Sequence, residues 1–195
     1  MTSPVAAIAK PELRKLAMAR RDAMGADARR AGSVAIAARL APLVEAARPA
    51  VLAGYLPIRT EVDLGAFLEG ERRQGRAIAL PAVVDAATMV FRRYMPDTAL
   101  DTGSFGTRMP TIVSPEVVPD LVLLPMVAFD RSGTRLGHGK GYYDRALAAL
   151  PSRPVLIGVA FAVQEVAMIP HQPHDVRLDW IVTERETIDL RGRAA

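Results

Sequence analysis

Apolar positions along the chain change period near residue 50 and again near residue 120, and these changes divide it into predicted elements. Between about residues 8 and 24, Leu13, Leu16, Ala17, Ala23 and Met24 recur at helical spacing among charged residues, which predicts an amphipathic helix. Gly25 and Asp27 punctuate the pattern, and a second helix is expected up to about Ala47 on Val34, Ile36, Leu40, Leu43 and Val44. Pro42 has no N–H and its ring crowds the preceding turn, so that helix is expected to be shortened or kinked. Residues 51–57 form a short apolar run suited to a buried strand. Residues 63–74 return to helical spacing with Asp63 as the expected cap, and 76–81 and 89–94 read as two more strands.

Residues 95–120 carry Pro96, Pro110, Pro115 and Pro119 and show neither period, so a long irregular stretch is expected. Loops that long inside a compact domain commonly carry function. Beyond it, 121–129 is a strongly apolar strand, 141–150 a helix, 155–162 a buried strand and 178–183 the last strand. Trp180, Met18, Met24 and Met89 sit at positions expected to pack. Strands that alternate with helices, several apolar on both faces, predict an α/β fold: a three-layer α/β/α sandwich with a mostly parallel sheet. The length of 195 residues fits one domain over residues 1–195.

Composition narrows the chemistry. With no Cys, disulfide scaffolds, thiolate nucleophiles and cysteine-type zinc sites are excluded. The longest apolar run, 121–129, is far short of the roughly 20 residues of a spanning helix, so no membrane association is expected. Residues 1–10 have neither a basic region nor an apolar core, so no secretion signal and a cytoplasmic location are expected. The net charge of +4 arises within residues 1–50, which hold nine basic and four acidic residues. That excess could attract a polyanion. Residues 1–50 contain no Phe, Tyr or Trp, however, so base stacking on a nucleic acid is not expected.

The densest chemical signal is Arg135-Leu-Gly-His-Gly-Lys-Gly-Tyr-Tyr-Asp144, between an apolar strand and a helix. Gly137, Gly139 and Gly141 alternate, so successive N–H groups can turn inward to form an anion nest, to which Arg135 and Lys140 add charge. The spacing is neither a Walker A loop nor a dinucleotide fingerprint, and the same residues also suit a bare glycine-rich turn. Asp144 fits equally a helix-terminal cap and a magnesium ligand shared with phosphate oxygens. Lys10 and Arg14, four apart on the first helix, present both heads on one face, for an anion or for solvent. Tyr55 to Asp63, including Glu61, follows the first strand, where open α/β sheets bind ligands. His171-x-x-His174-Asp175 has donor-rich spacing, but Pro170 and Pro173 keep both rings off one helix face. Asp175 as an oxygen ligand for a hard cation is therefore favoured over zinc.

These motifs resemble the 5-formyltetrahydrofolate cyclo-ligase family, also called methenyltetrahydrofolate synthetases. The resemblance rests on Asp120-Leu-Val-Leu-Leu-Pro-Met-Val-Ala-Phe-Asp130 and Gly133, then on Arg135 through Arg145. Lys10, Arg14, the Tyr55–Asp63 segment, His174-Asp175 and Asp179 follow in family order. It implies ATP-driven cyclisation of 5-formyltetrahydrofolate to 5,10-methenyltetrahydrofolate through a phosphorylated formyl (imidate) intermediate, with Mg²⁺ and with ADP and phosphate released. By the same resemblance Arg135 and Lys140 are catalytic. Lys10, Arg14, Arg135, Leu136, Gly137, His138, Gly139, Lys140, Gly141, Tyr142 and Tyr143 bind ATP. Leu56, Glu61, Phe105 and the residues His138 to Tyr142 meet the folate, and Asp144 and Asp175 hold the metal. The family fold is similar to the sugar-phosphate isomerase and CoA-transferase group, and a monomer acting on small molecules is expected. One departure stands out. Many relatives read FGIxEP where this chain has Phe105-Gly-Thr-Arg-Met-Pro110, so Met109 replaces an acid and Thr107 an isoleucine. A non-catalytic nucleotide-binding relative would keep the cradle but need not retain Arg135, Lys140 and Asp144 together.

Overall fold

The computed structural model describes residues 9–103, 106–170 and 176–192. Two helices open the chain, α1 (Lys10–Asp22) and α2 (Ala26–Ala47), followed by β1 (Val51–Ala53), α3 (Gly65–Arg73), β2 (Ala77–Val83) and β3 (Met89–Tyr94). A hairpin of β4 (Leu100–Thr102) and β5 (Arg108–Pro110) comes next. After it run β6 (Leu121–Pro125), β7 (Ala128–Phe129), β8 (Arg135–Leu136) and α4 (Tyr142–Ala148), then β9 (Val155–Val159), β10 (Trp180–Val182) and β11 (Thr187–Asp189).

Seven of these strands form one mixed sheet in the order β11-β10-β9-β6-β1-β2-β3, parallel throughout its centre and antiparallel only at β2–β3 and β10–β11. Successive strand residues point to opposite faces, and the sequence fills both. On one face Leu52, Ile78, Leu121, Leu123 and Ile157 pack on Ile36, Leu40 and Val44 of α2 and Leu68 of α3. On the other, Ala53, Ala79, Val122, Leu124 and Leu156 share a core with Ala146 and Leu147 of α4 and with Phe91 and Phe129. Helices thus cover both faces. A third cluster seats Leu13 and Ala17 of α1 on Val127, Ala128 and Leu136, which fastens α1 over the β7–β8 ribbon.

Four expectations need correction. Helix α2 is uninterrupted across Pro42, because Leu40 and Val44 on either side are fully buried and hold both turns on the sheet. The stretch 95–120 is not wholly irregular: β4 and β5 pair as a hairpin, too short to leave a period in the sequence. The apolar run 121–129 is two strands. β6 ends at Pro125, and β7 leaves the sheet to pair with β8. The cap of α3 is Leu64 rather than Asp63, which lies one residue earlier and whose Oδ1 accepts the Gly65 N–H at 2.8 Å.

The order of strands creates one feature of consequence. From β1 the chain runs to β2 on one flank, while β6 lies on the other, so the connections leaving their carboxyl ends diverge and open a crevice. Gly54, just past β1, lets Leu68 close in: a Cβ there would lie 2.6 Å from Leu68 Cδ1 and 2.7 Å from Cδ2. Gly54→Ala is expected to lower stability by about 1–3 kcal/mol through overpacking, read as a lower urea midpoint at unchanged slope.

Candidate active site

The crevice holds a cavity of about 430 Å³. Its floor is the sheet edge, with Tyr55 and Leu56 beyond β1, Pro81 and Val83 of β2, and Leu124 and Pro125 of β6. The glycine-rich run closes one wall. Asp130 sets up that run from within: its Oδ1 accepts the Ser132 N–H at 2.9 Å and the Thr134 N–H at 3.2 Å, and its Oδ2 the Ile169 N–H at 2.8 Å. The tight turn this makes delivers Arg135 to the cavity.

From Gly137 the backbone turns in ways an L side chain resists. Gly139 has φ +91° and Gly141 φ +64°, both in the left-handed region that favours glycine. A Cβ on Gly139 would sit 3.4 Å from Cζ of Arg14, and one on Gly141 would sit 2.9 Å from Nη1 of Arg145. Arg14 Nε donates to the Gly137 carbonyl at 2.8 Å, so α1 and the turn are joined by a hydrogen bond. Lys10, one helical turn before Arg14, lines the same cavity. Arg135 Nη2 donates to Asp144 Oδ1 at 2.7 Å, which couples the start of the run to the first turn of α4.

Glu61 is the acid on the facing wall, with a side chain only 6% exposed. Its Oε2 accepts the Ile58 N–H at 3.1 Å, its Oε1 lies 3.2 Å from His138 Nε2, and Arg21 Nη1 stands 3.9 Å from that same oxygen. Two tyrosines feel this site. Burial and then the nearby Glu61 carboxylate push the Tyr55 hydroxyl well above its ordinary range, and it donates to the Val62 carbonyl at 3.1 Å. Tyr143 is pushed up by the same two causes, with Arg135 opposing. Both are neutral donors at any ordinary pH.

The cavity therefore gathers Lys10, Arg14, Leu56, Glu61, Arg135, Leu136, Gly137, His138, Gly139, Lys140, Gly141, Tyr142, Tyr143 and Asp144. Phe105 and Asp175, like His171 and His174, lie outside the described residues. Thr107 and Met109, singled out by their departure from the family pattern, line the cavity, whereas sequence reasoning missed Pro81, Val83, Met89 and Leu124 as cavity walls. An apolar residue at a strand end carries the same signal whether it faces core or ligand. Met109 sits on β5 with its sulfur accepting the Val83 N–H at 3.3 Å, so the thioether is part of the wall. Cations, inward-turned amides and a facing carboxylate suit an anionic, phosphate-bearing molecule on one side and a hydrogen-bond-donating ring on the other.

Comparison with known proteins follows the same lines. The model of the 5-formyltetrahydrofolate cyclo-ligase family matches residues 6–184. A 5-formyltetrahydrofolate cyclo-ligase of Haemophilus influenzae is 31% identical over 143 residues, covering 70% of this chain and 76% of that protein. One from Mycolicibacterium smegmatis is 32% identical over 146 residues, covering 69% and 73%. Among solved structures, a 5,10-methenyltetrahydrofolate synthetase of Aquifex aeolicus superposes with a TM-score of 0.81 at 34% identity, covering 95% of each chain. One from Mycoplasma pneumoniae gives 0.75 at 26%, covering 91% of this chain and 99% of that one.

The raised tyrosines have a consequence for alkaline stability. A phenol that is neutral and buried when folded but free to ionise when unfolded favours unfolding once the pH passes its unfolded value of about 10. Stability from Tyr55 and Tyr143 is thus complete below that pH and lost above it. In a spectrophotometric titration their phenolate absorbance is expected to emerge only together with unfolding, and Tyr143→Phe should shrink that late portion.

Proposed function

The chain belongs to the 5-formyltetrahydrofolate cyclo-ligase family, and from that membership we propose that it cyclises 5-formyltetrahydrofolate to 5,10-methenyltetrahydrofolate at the expense of ATP. The observation that carries this reading is the convergence of Arg14, Arg135, Lys140 and the Gly137–Gly141 turn on one cavity that Glu61 faces. In this proposal the formyl oxygen attacks the γ-phosphorus and ADP leaves, giving a phosphorylated imidate. N10 then attacks the formyl carbon, loses its proton, and phosphate departs.

Neither step needs a protein nucleophile. Both need positioned phosphates, neutralised charge and exclusion of water. Lys10, Arg14 and residues 135–143 would hold ATP, with Lys140 and Arg135 countering charge on the transferred group. Glu61 would accept the pterin donors beside Leu56, Phe105 would pack on the folate, and His138 to Tyr142 would border the formyl group. Asp144, on the cavity wall with one oxygen engaged by Arg135, fits a magnesium ion that draws most of its ligands from phosphate and water. With Asp175 as second ligand, such an ion would neutralise phosphate charge. One domain, a monomer, a cytoplasmic location and kinship with the sugar-phosphate isomerase and CoA-transferase group complete the proposal. No helix among the described residues is long and apolar enough to cross a membrane.

The test is the near-ultraviolet absorbance of the methenyl product when protein is mixed with 5-formyltetrahydrofolate, Mg²⁺ and ATP. A rise that needs all three is expected. ATP binding without any rise would contradict the proposal and favour a non-catalytic relative. Lys140→Ala is expected to lower kcat by roughly 10²–10³-fold and to leave the folate KM within about threefold, because its charge acts on the phosphoryl group as it transfers.

A further inference from the structure

Arg21 has no part in the function proposed above, yet it is the most deeply buried charged side chain among the described residues, at 1% exposure. It lies at the end of α1, outside the cavity, and reaches toward the loop after β1. Its Nε donates to Thr60 Oγ1 at 3.0 Å, and Thr60 in turn donates to Asp22. Its Nη1 is buried and makes no hydrogen bond with any described residue. Two carboxylates lie at ion-pair distance: Asp22, 3.9 Å from Nε and half exposed, and Glu61, 3.9 Å from Nη1 and nearly as buried as Arg21 itself.

Burying a guanidinium costs several kcal/mol unless an anion offsets it, and an apolar side chain of similar volume would anchor a helix without that cost. Glu61 is nearly as enclosed, and its Oε1 is the carboxylate oxygen that stands at ion-pair distance from the buried Nη1. We propose that Arg21 is a positioning residue for Glu61: from behind the cavity wall it holds the carboxylate turned toward the cavity. Glu61 can keep the Ile58 N–H as a donor and Arg21 as an ion-pair partner at its back. The ring N–H and amino group of a 2-amino-4-oxopteridine then take the place His138 holds at its front. This inference rests on the reading of Glu61 as the pterin acceptor.

Lys10 and Arg14 ride the same helix, so harm to α1 and harm to Glu61 read out differently. Arg21→Gln removes the charge and keeps a donor for Thr60, Arg21→Met removes all polarity at similar volume, and Arg21→Lys keeps the charge. In Arg21→Gln and Arg21→Met the KM for 5-formyltetrahydrofolate is expected to rise about tenfold, while kcat and the KM for ATP stay within about twofold. Arg21→Lys should recover most of the loss. Placed on Glu61→Gln, Arg21→Gln should add nothing to the folate KM, because the two residues act as one unit. Joint rises in both KM values, an Arg21→Met folate KM equal to wild type, or full additivity with Glu61→Gln would each overturn the proposal. Turnover by the unaltered protein tests the proposed function separately, so the two failures are distinguishable.

Discussion

The parallel pairing of β1 with β6 is the contact on which the site depends. Leu52 stands against Leu121 and Ala53 against Val122, all four fully buried, so this seam is held from both faces of the sheet. Because the chain leaves β1 toward one flank and β6 toward the other, no connection covers the seam's carboxyl end. The cavity is a consequence of strand order, and the residues around it are supplied by whichever loops border that gap.

Electrostatic arrangement follows from what those loops carry. The run after β8 brings amides and cations, and α1 adds Lys10 and Arg14 because Leu13 and Ala17 seat it on the β7–β8 ribbon. The Arg14–Gly137 hydrogen bond makes the two sources one unit, so the shape of the turn and the placement of charge are set together. Glu61 stands among these cations with its own counter-charge in Arg21, set apart from the cations that line the cavity. In the proposed reaction, a formyl oxygen brought to a triphosphate would gain from that separation, since charge held away from bulk water acts more strongly than in solvent.

Much of this was legible in the sequence, and the exceptions share a cause. Long periodic segments such as α1, and buried runs such as β6 and β9, announce themselves through burial. So does the Arg135–Asp144 run, because its chemistry is written in consecutive residues. Burial, however, does not report strand continuity, and the run 121–129 was therefore read as one strand across Pro125. β4, β5, β8 and β11 have two or three residues each and lie outside any apolar run, so they leave no period to detect. Contacts between distant segments leave no local pattern either: His138 and Glu61 meet across 77 positions, and Arg21 reaches Glu61 from α1. Pro42 does not shorten α2, because tertiary packing of Leu40 and Val44 outweighs the local loss of one N–H.

The central claim is that the turn from Gly137 to Gly141 cradles phosphate between β6 and α1. The most direct measurement is the backbone amide spectrum of the isotopically labelled protein, titrated with Mg²⁺ and a non-hydrolysable ATP analogue. The account predicts that the amides of Gly137, Gly139 and Gly141 shift most, together with the Arg14 guanidinium resonance. Saturable binding that shifts resonances elsewhere and leaves those glycines unmoved would contradict it.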